Sequence, residues 1–283
     1  MDKLRIFAYT GNRPYSHGDA LAAPMSAQEA KQILHRARKR LRPLQERLYA
    51  ENREAVLAVF QAMDAAGKDS VIRHVFSGMN PQGIDVVSFK QPSDEEMDHD
   101  YLWRCFRHLP ERGKICVFNR SYYEEVLVGR VHALYRSQSL PERCMYPDLI
   151  ARRYRQIRDF EQYLWENGIR VVKFYLALSR DEQKRRFLRR LEQPHKNWKF
   201  SESDIRERAY WDEYQTAYQD AINATAARNA PWYVIPADDK PTAHAYTAQI
   251  MADVLEDIHP QFPAVSPERA ALLAQYRAQL ELE

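Results

Sequence analysis

Cysteine and glycine are scarce in this sequence, which has 3 cysteines and 8 glycines among 283 residues. An odd cysteine count without Cys-x-x-Cys spacing argues against a disulfide framework or a zinc site and is typical of a reducing compartment. The sequence also lacks an apolar run of about 18 residues, and its N-terminus has no apolar segment typical of a signal peptide. We therefore expect a cytoplasmic protein that makes no contact with a membrane.

A large excess of charge of either sign is absent as well. Lysine and arginine total 42 and aspartate and glutamate total 39, which gives a formal net charge of +3. This balance does not favour nucleic acid as a partner, so any binding of a polyanion must come from local clusters of basic residues. The hydrophobic content of 45% is sufficient for a large packed core.

Short apolar segments alternate with helical patterns along most of the chain. Strands are predicted over five segments: 55–61, 84–89, 114–118, 171–178 and 232–236. Because helices separate them, the predicted fold class is α/β, a parallel five-stranded sheet with helices on both faces. The predicted helices include 93–108, 121–135 and a long helix over 203–228. We expect an N-terminal helical extension (1–53), a catalytic domain (54–260) and a C-terminal helix (261–283).

The first predicted strand leads into the segment DAAGKD at 64–69, after which an apolar period of three to four begins a helix. This order, a strand followed by a tight loop, Gly-Lys and a helix, is typical of a phosphate-binding P-loop, or Walker A motif. Unpaired backbone N–H groups at the helix start, the helix dipole and Lys68 all attract phosphate oxygens. Ala62 and Asp69 depart from the usual pattern. The alternative is an ordinary strand-to-helix turn with Asp64 as its cap.

Ligands of such sheets bind beyond the carboxyl ends of the strands. We expect the following strand-end groups to face one crevice: Asp64, Lys68, Lys90, Asn119, Arg120 and Glu124. In P-loop enzymes the strand beside the P-loop strand usually ends in an Asp that helps to hold magnesium. Here Asn119 offers only a carbonyl oxygen, so Asp64 would have to supply the charge. The alternative for Asn119 is a plain strand end followed by a helix cap at Ser121.

A dense set of positive charges lies between residues 184 and 199: Lys184, Arg185, Arg186, Arg189, Arg190, Lys196 and Lys199. Like charges four residues apart on a helix repel, so another group must offset them. One interpretation is a solvated helix face with Glu182 and Glu192 as neighbours. The other is a lid that closes on phosphates, because a guanidinium binds phosphate oxygens in a bidentate fork and does so more strongly where water is excluded.

Six segments together resemble the polyphosphate kinase 2 family. They are DAAGKD at 64–69, GMNPQG at 78–83, SFKQPSDEE at 88–96, LWR at 102–104, FNRSYYEEVLVGRVH at 118–132 and KNWKFSESDIRER at 196–208. The similarity extends from about residue 28 to residue 258, most of the chain. It implies a P-loop kinase fold similar to thymidylate kinase, with extra terminal helices and a helical lid at about 184–208.

The resemblance implies phosphoryl transfer between inorganic polyphosphate and nucleotides with Mg²⁺, or with Mn²⁺ as the alternative metal. By position, Asp64 resembles the family's metal-associated carboxylate, Lys68 its phosphate-contacting lysine and Arg120 the arginine of its third-strand motif. Many members have Asp in place of Asn119, and Asn119 with Glu124 resembles the subgroup that phosphorylates both nucleoside mono- and diphosphates. The residues expected to bind phosphate are Ala65, Ala66, Gly67, Lys68, Asp69, Lys90, Arg185, Arg186, Arg189, Arg190, Lys196 and Lys199.

The partners implied are polyphosphate and adenine nucleotides, with guanine nucleotides as a further candidate, and a homo-oligomer is expected. Two other functions use the same features. An ATP-dependent nucleotide or small-metabolite kinase on this fold differs only in the phosphoryl donor. A non-enzymatic nucleic-acid-binding protein that uses the basic segment is the least favoured, because the charge is nearly balanced and no nucleic-acid motif appears.

Overall fold

The computed structural model of the chain describes residues 7–18 and 24–283. Across these residues, six strands form one mixed sheet in the order β1-β6-β5-β2-β4-β3. The strands are β1 (Ala8–Tyr9), β2 (Ala55–Gln61), β3 (Ile84–Ser88), β4 (Ile115–Asn119), β5 (Ile169–Ala177) and β6 (Trp232–Pro236). β1 pairs antiparallel with β6, whereas the other neighbouring pairs are parallel. The carboxyl ends of the five parallel strands therefore meet at one edge.

Helices cover both faces of the sheet. They are α1 (Ala27–Glu51), α2 (Lys68–Val75), α3 (Asp94–Met97), α4 (Trp103–Phe106), α5 (Val128–Val131), α6 (Leu149–Glu166), α7 (Arg180–Glu192), α8 (Glu202–Ala209), α9 (Trp211–Thr225), α10 (Lys240–Ile258) and α11 (Pro267–Leu280). Short 3₁₀ segments lie at Pro81–Gly83, Tyr122–Val126, Leu134–Arg136, Glu142–Cys144 and Pro194–Lys199. Among the helices of the described residues, none combines the length and apolar character needed to cross a membrane.

The strand that leads into the P-loop lies inside the sheet. Every residue of β2 is buried, because β4 and β5 flank it and helices cover both faces. Its alternate residues enter two separate apolar clusters. Phe60 packs with the cluster that includes residues of α1, α2 and α10, and Val59 packs with the one that includes residues of α6 and α9. This central packing gives the P-loop a rigid base.

The two terminal helices differ in how they contact the rest of the chain. α1 packs along α10, and its Leu41 and Leu48 are fully buried. Every residue of α11 is exposed, including the large apolar side chains of Leu272, Leu273 and Tyr276.

All five predicted strands are confirmed. The bounds of β2 and β6 are those predicted, and the other three differ by at most two residues at either end. The structure adds β1, which the sequence did not reveal because two residues show no periodicity. In this pairing Ala8 lies opposite Tyr233, so β1 joins two parts of the chain that are far apart in sequence.

Three of the helices predicted from the sequence, 93–108, 121–135 and 203–228, are interrupted. The segment 93–108 contains α3 and α4, and between them the carboxylate of Asp100 accepts a hydrogen bond from Leu102 N at 2.9 Å, which competes with helical pairing. The segment 121–135 is a mixture of 3₁₀ and α turns. The third predicted helix, 203–228, breaks at Tyr210, whose ψ of 25° allows Trp211 to enter the core.

A charged pair lies completely inside the protein on the face that carries α6. Lys173 Nζ binds Glu161 Oε2 at 2.6 Å, and both side chains are almost inaccessible to water. Glu161 Oε1 accepts from the hydroxyls of Tyr122 and Tyr123 at 2.9 Å each. Burial lowers the pKa of Lys173 and raises that of Glu161, and the attraction within the pair opposes both shifts. The pair therefore depends on both partners being present.

Removing one partner of this pair should strongly destabilise the fold. We expect Lys173→Met to lower the free energy of unfolding by about 3–5 kcal/mol, because Glu161 would remain as an unpaired buried charge. Urea unfolding at neutral pH measures the change. The double variant Lys173→Met/Glu161→Gln removes both charges and keeps an acceptor for the tyrosines, so it should be the more stable of the two. Equal stability of the two variants would contradict this account.

Candidate active site

The turn between β2 and α2 has the backbone of a phosphate loop. Ala65 has φ of 63° and Gly67 has φ of 102°, both in the left-handed region that side chains other than glycine rarely adopt. A Cβ atom added to Gly67 would meet only an ordinary contact, 3.6 Å from Arg186 Nη1. Conformation rather than lack of space therefore favours glycine there. A left-handed alanine persists only where its surroundings enforce it.

Arg186 supplies that enforcement from α7. Its Nη1 donates to the carbonyl oxygens of Ala65 at 3.0 Å and Ala66 at 2.7 Å, and its Nη2 donates to two carbonyls that follow β6. Its Nε binds Glu182 at 2.8 Å. The side chain is 5% exposed, and all three guanidinium nitrogens are occupied. Its donors therefore hold the P-loop in place, and its phosphate-binding role stays a prediction.

Lys68 begins α2 directly after this turn. Its Nζ donates to the carbonyl oxygen of Ala62 at 2.9 Å. Burial, together with the positive charge of Arg120, lowers the pKa of Lys68 to about 8, while Asp64 and two other carboxylates oppose the shift. The nearby carboxylates only partly neutralise this buried ammonium group. Contact with a phosphate oxygen would therefore stabilise it more than it would stabilise a solvated ammonium group.

Arg120 links two of the predicted catalytic carboxylates. Its Nη2 binds Asp64 Oδ1 at 2.9 Å and its Nη1 binds Glu124 Oε2 at 3.2 Å. Gln61 Nε2 donates to the other oxygen of Glu124 at 2.9 Å. Glu124, and after it Asp64, raises the pKa of Arg120, so this residue stays charged. The left-handed backbone of Arg120 (φ 66°) and its N–H bond to Phe60 O fix the start of the side chain against β2.

Asn119 faces Asp69 across the same crevice. In the sheet, Asn119 lies in register with Phe60 and Ser88, so β2 and β3 flank it. Its Nδ2 donates to Asp69 Oδ1 at 2.7 Å. The amide oxygen of Asn119 remains as an acceptor, whereas an aspartate in this position would bring two carboxylates together.

The cations of the predicted lid fall into two groups. Arg190 has partners within the lid, because its Nη1 binds Asp204 at 3.2 Å and the carbonyl oxygen of Lys199 at 3.0 Å. Arg185 and Arg189 share the carboxylate of Glu182 but stay largely exposed. The side chain of Lys199 is exposed as well, and that of Lys196 is half-buried. Glu182 thus offsets the repulsion between the arginines, as the solvated-face interpretation expects, and leaves outward charge available for a ligand.

The structure brings Asp64, Lys68, Asn119, Arg120 and Glu124 together, as the strand-end rule predicts. Lys90 is exposed at the end of β3, where its carbonyl oxygen accepts from Arg104 at 2.7 Å. This contact fixes the backbone of Lys90 and leaves its ammonium group in solvent, so its phosphate-binding role stays a prediction.

Sequence reasoning missed several residues of the site. Gln183 donates to the carbonyl oxygen of Asp64 at 3.0 Å, and no pattern in the sequence indicated this contact. Lys240 lies beside the P-loop, with its Cε 3.8 Å from the position of a Cβ on Gly67. The strand-end rule, extended to the last predicted strand, would have included Lys240, because this residue follows β6.

The donor atoms fit a magnesium ion that carries water. Across residues 7–18 and 24–283, no group of three or more His, Cys, Asp or Glu side chains is arranged to hold a metal. Magnesium is usually bound by one or two carboxylates together with waters and substrate phosphates. Asp64 and Asp69 supply two carboxylates at the P-loop, and Asn119 supplies an amide oxygen. The residues therefore suit a metal that arrives with a phosphate ligand.

A family model described as Polyphosphate kinase 2 (PPK2) matches residues 24–263. The chain belongs to the polyphosphate kinase 2 family. This match covers the whole of the candidate site, together with α1 and α10.

Individual proteins of known sequence or structure agree with this membership. The chain is 52% identical over 251 residues to a Rhodopseudomonas palustris protein named ADP-polyphosphate phosphotransferase, covering 88% of this chain and 87% of that one. It is 44% identical over 246 residues to an AMP/ADP-polyphosphate phosphotransferase of Meiothermus ruber, covering 87% and 86%. The crystal structure of polyphosphate kinase 2 from Arthrobacter aurescens TC1 superposes with a TM-score of 0.82 at 37% identity, covering 92% of this chain and 91% of that one.

The hydrogen bonds of Arg186 predict a large stability difference between two arginines of α7. Arg186→Gln should lower the free energy of unfolding by about 2–4 kcal/mol, because four carbonyl groups and Glu182 lose their donors. Arg189→Gln makes the same change of charge at an exposed position and should cost at most about 0.5 kcal/mol. Urea unfolding of both variants gives the comparison. Similar losses would show that Arg186 does not hold the P-loop.

The environment of Lys68 predicts an unusual titration. In ¹³C-labelled protein its ammonium group should titrate near pH 8 rather than at 10.5. Between these values the unfolded chain binds this proton and the folded chain does not, so Lys68 makes stability rise with pH. Arg120→Gln removes a positive neighbour and releases Asp64 and Glu124, and so should raise the pKa of Lys68. An unchanged pKa would contradict the proposed electrostatics.

Proposed function

We propose that this protein transfers a phosphoryl group from inorganic polyphosphate to AMP and ADP, reversibly and with Mg²⁺ as the metal. The observation that carries the proposal is the excess of positive over negative charge around the P-loop, where Arg185, Arg186 and Arg189 share one carboxylate, that of Glu182. The pKa of Lys240 is lowered by burial and then by the nearby positive charges of Arg186, Arg189 and Lys196. Such a collection of cations favours a ligand with many negative charges. The names of the two relatives, which include ADP and AMP/ADP acceptors, support the same conclusion.

Positioning and neutralisation of charge account for the chemistry. Lys68 and the N–H groups at the start of α2 would hold the phosphoryl group that is transferred, which fits their role in other P-loop sites. Arg120, held between Asp64 and Glu124, would add a fixed positive charge for the phosphates. A bound Mg²⁺ would neutralise charge on the phosphates, and Asp64, Asp69 and Asn119 would hold it. The acceptor phosphate is already ionised at neutral pH, so no strong general base is required.

The same site suits an ATP-dependent kinase less well. In that alternative the positive charges of Arg189, Lys196 and Lys240 would face a donor with only three phosphates. The names of the relatives also give polyphosphate, not ATP, as the substrate.

Three further expectations belong to the proposal. Guanine nucleotides remain candidate acceptors beside adenine nucleotides, and nucleic acid is not expected as a partner. We also propose that the enzyme is cytoplasmic and self-associates. The exposed apolar side chains of α11, among them Leu272, Leu273 and Tyr276, support self-association.

A donor assay tests the proposed function directly. Purified protein is supplied with Mg²⁺, AMP or ADP, and polyphosphate as the only donor, and ADP or ATP is measured. We expect product formation that Lys68→Met reduces by orders of magnitude, because its charge acts on the transferred phosphoryl group. A folded protein that forms product from ATP and AMP but none from polyphosphate would support the alternative and reject the proposal.

The contact of Asn119 with Asp69 predicts a change in acceptor preference. Asn119→Asp adds one negative charge beside the metal and the acceptor phosphates, and AMP and ADP differ in charge. The ratio of kcat/KM for AMP and ADP should therefore change by about fivefold.

Asn229→Asp provides the matched control, because it makes the same charge change in the loop before β6, at the opposite edge of the sheet. It should leave the ratio unaltered. If both variants keep the wild-type ratio, Asn119 does not sense the acceptor.

A further inference from the structure

A line of basic side chains runs from the P-loop along α2, away from the catalytic residues of the candidate site. It begins at Lys240, beside Gly67. One turn along α10 is His244, whose Nε2 lies 3.1 Å from Ser70 Oγ on α2. The ring of His74 stacks on that of His244 with centroids 4.2 Å apart. Each of these contacts places the next group further from the P-loop.

Two arginines of α1 continue the line. The guanidinium of Arg38 donates to the carbonyl oxygen of His74. Arg42 follows one helical turn later and lies against Gly78, three residues after the end of α2. Arg73 is exposed on the outer face of α2, next to His74. We call Lys240, His244, His74, Arg73, Arg38 and Arg42 the basic track.

Within the part of the chain that the structure describes, no cation of the basic track forms an ion pair. Across the described residues, no carboxylate lies within ion-pair distance of Lys240, Arg38, Arg42 or Arg73, in contrast to Arg40, which pairs with Asp253 and Glu256 on the other side of α1. Burial, and then the positive charge of the track itself, lowers the pKa of His244 to about 4. His244 is therefore neutral at pH 7, and the charge of the track comes from Lys240, Arg73, Arg38 and Arg42. Like charges collected without carboxylate partners cost free energy, and a bound polyanion would offset this cost.

The position of the basic track suits a long polyphosphate donor, which extends beyond the P-loop. The P-loop and the lid can touch only a few phosphates at the reacting end of a chain. α2 is eight residues long, which gives the track a length of about 12 Å along this helix. We propose that the basic track binds phosphates of the polyphosphate chain beyond those held by the P-loop and lid, so that it increases affinity for long donors. This inference rests on the proposed function.

The mundane explanation is that Arg38 caps the last carbonyl groups of α2 and that the neighbouring cations are merely solvated. For this reason the test uses the exposed members of the track. Arg42→Gln and Arg73→Gln remove charge from it, and Arg36→Gln is the matched control. Arg36 is exposed. Because it is two residues from Arg38, it lies on nearly the opposite side of α1.

Equilibrium binding of long-chain polyphosphate is measured at several salt concentrations. For each track variant the Kd should rise roughly two- to fivefold. The slope of log Kd against log salt should become shallower by about 0.7 for each phosphate that the variant no longer neutralises. Arg36→Gln should give a smaller rise and the wild-type slope. The inhibition constant of tripolyphosphate, which reaches only the P-loop and lid, should be the same in all four proteins and reports that the site is folded.

The inference is overturned if Arg42→Gln and Arg73→Gln bind long-chain polyphosphate as Arg36→Gln does. It is also overturned if the variants weaken the binding of tripolyphosphate as much as that of the long chain, because the effect would then arise at the P-loop. Failure of the proposed function has a different signature: wild-type protein would transfer nothing from polyphosphate, while the binding comparison would still decide whether the track exists.

Discussion

The interaction of Arg186 with the P-loop is the constraint on which the site depends. A peptide group directs its C=O and N–H to opposite sides. Because Arg186 occupies the carbonyl oxygens of Ala65 and Ala66, the N–H of Gly67 points away from the Arg186 guanidinium. The same guanidinium joins the P-loop to the end of β6 and to Glu182. One buried side chain thus couples the loop, the last strand and the base of the lid.

The crevice is completed by a second buried anchor on the other side of the sheet. Arg120 precedes the segment that contains Tyr122 and Tyr123. Glu161 accepts from both hydroxyls, and Lys173 Nζ binds Glu161 and the Tyr123 hydroxyl. The P-loop and the segment after Arg120 therefore each have a buried anchor of their own, and the contact of Arg120 with Asp64 joins them. Beyond Arg186, the predicted lid carries exposed cations such as Arg189 and Lys199, and we expect this part to adjust to a ligand. This division suits phosphoryl transfer, where a rigid set of donors must meet a substrate that enters and leaves.

The sequence predicted the parallel strands and the meeting of their ends because both follow from local patterns. β2 and β6 are short apolar runs with clear boundaries, and the strand-end rule united Lys68, Asn119 and Arg120. The direction of Arg186 could not be predicted in this way. The inner face of α7 includes Glu182, Gln183 and Arg186 as well as Phe187, so its pattern of charge resembles that of a solvated helix. Contacts between segments far apart in sequence, such as β1 with β6, likewise leave no local signal.

Hydrogen–deuterium exchange along α7 tests most directly whether Arg186 separates the fixed from the adjustable part of the lid. Exchange is followed in the protein with and without long-chain polyphosphate and Mg²⁺. Amides up to Arg186 should be protected in the free protein, whereas those of residues 188–199 should gain protection only when polyphosphate is present. Uniform exchange along the whole of α7, or residues 188–199 that do not respond to polyphosphate, would contradict the account.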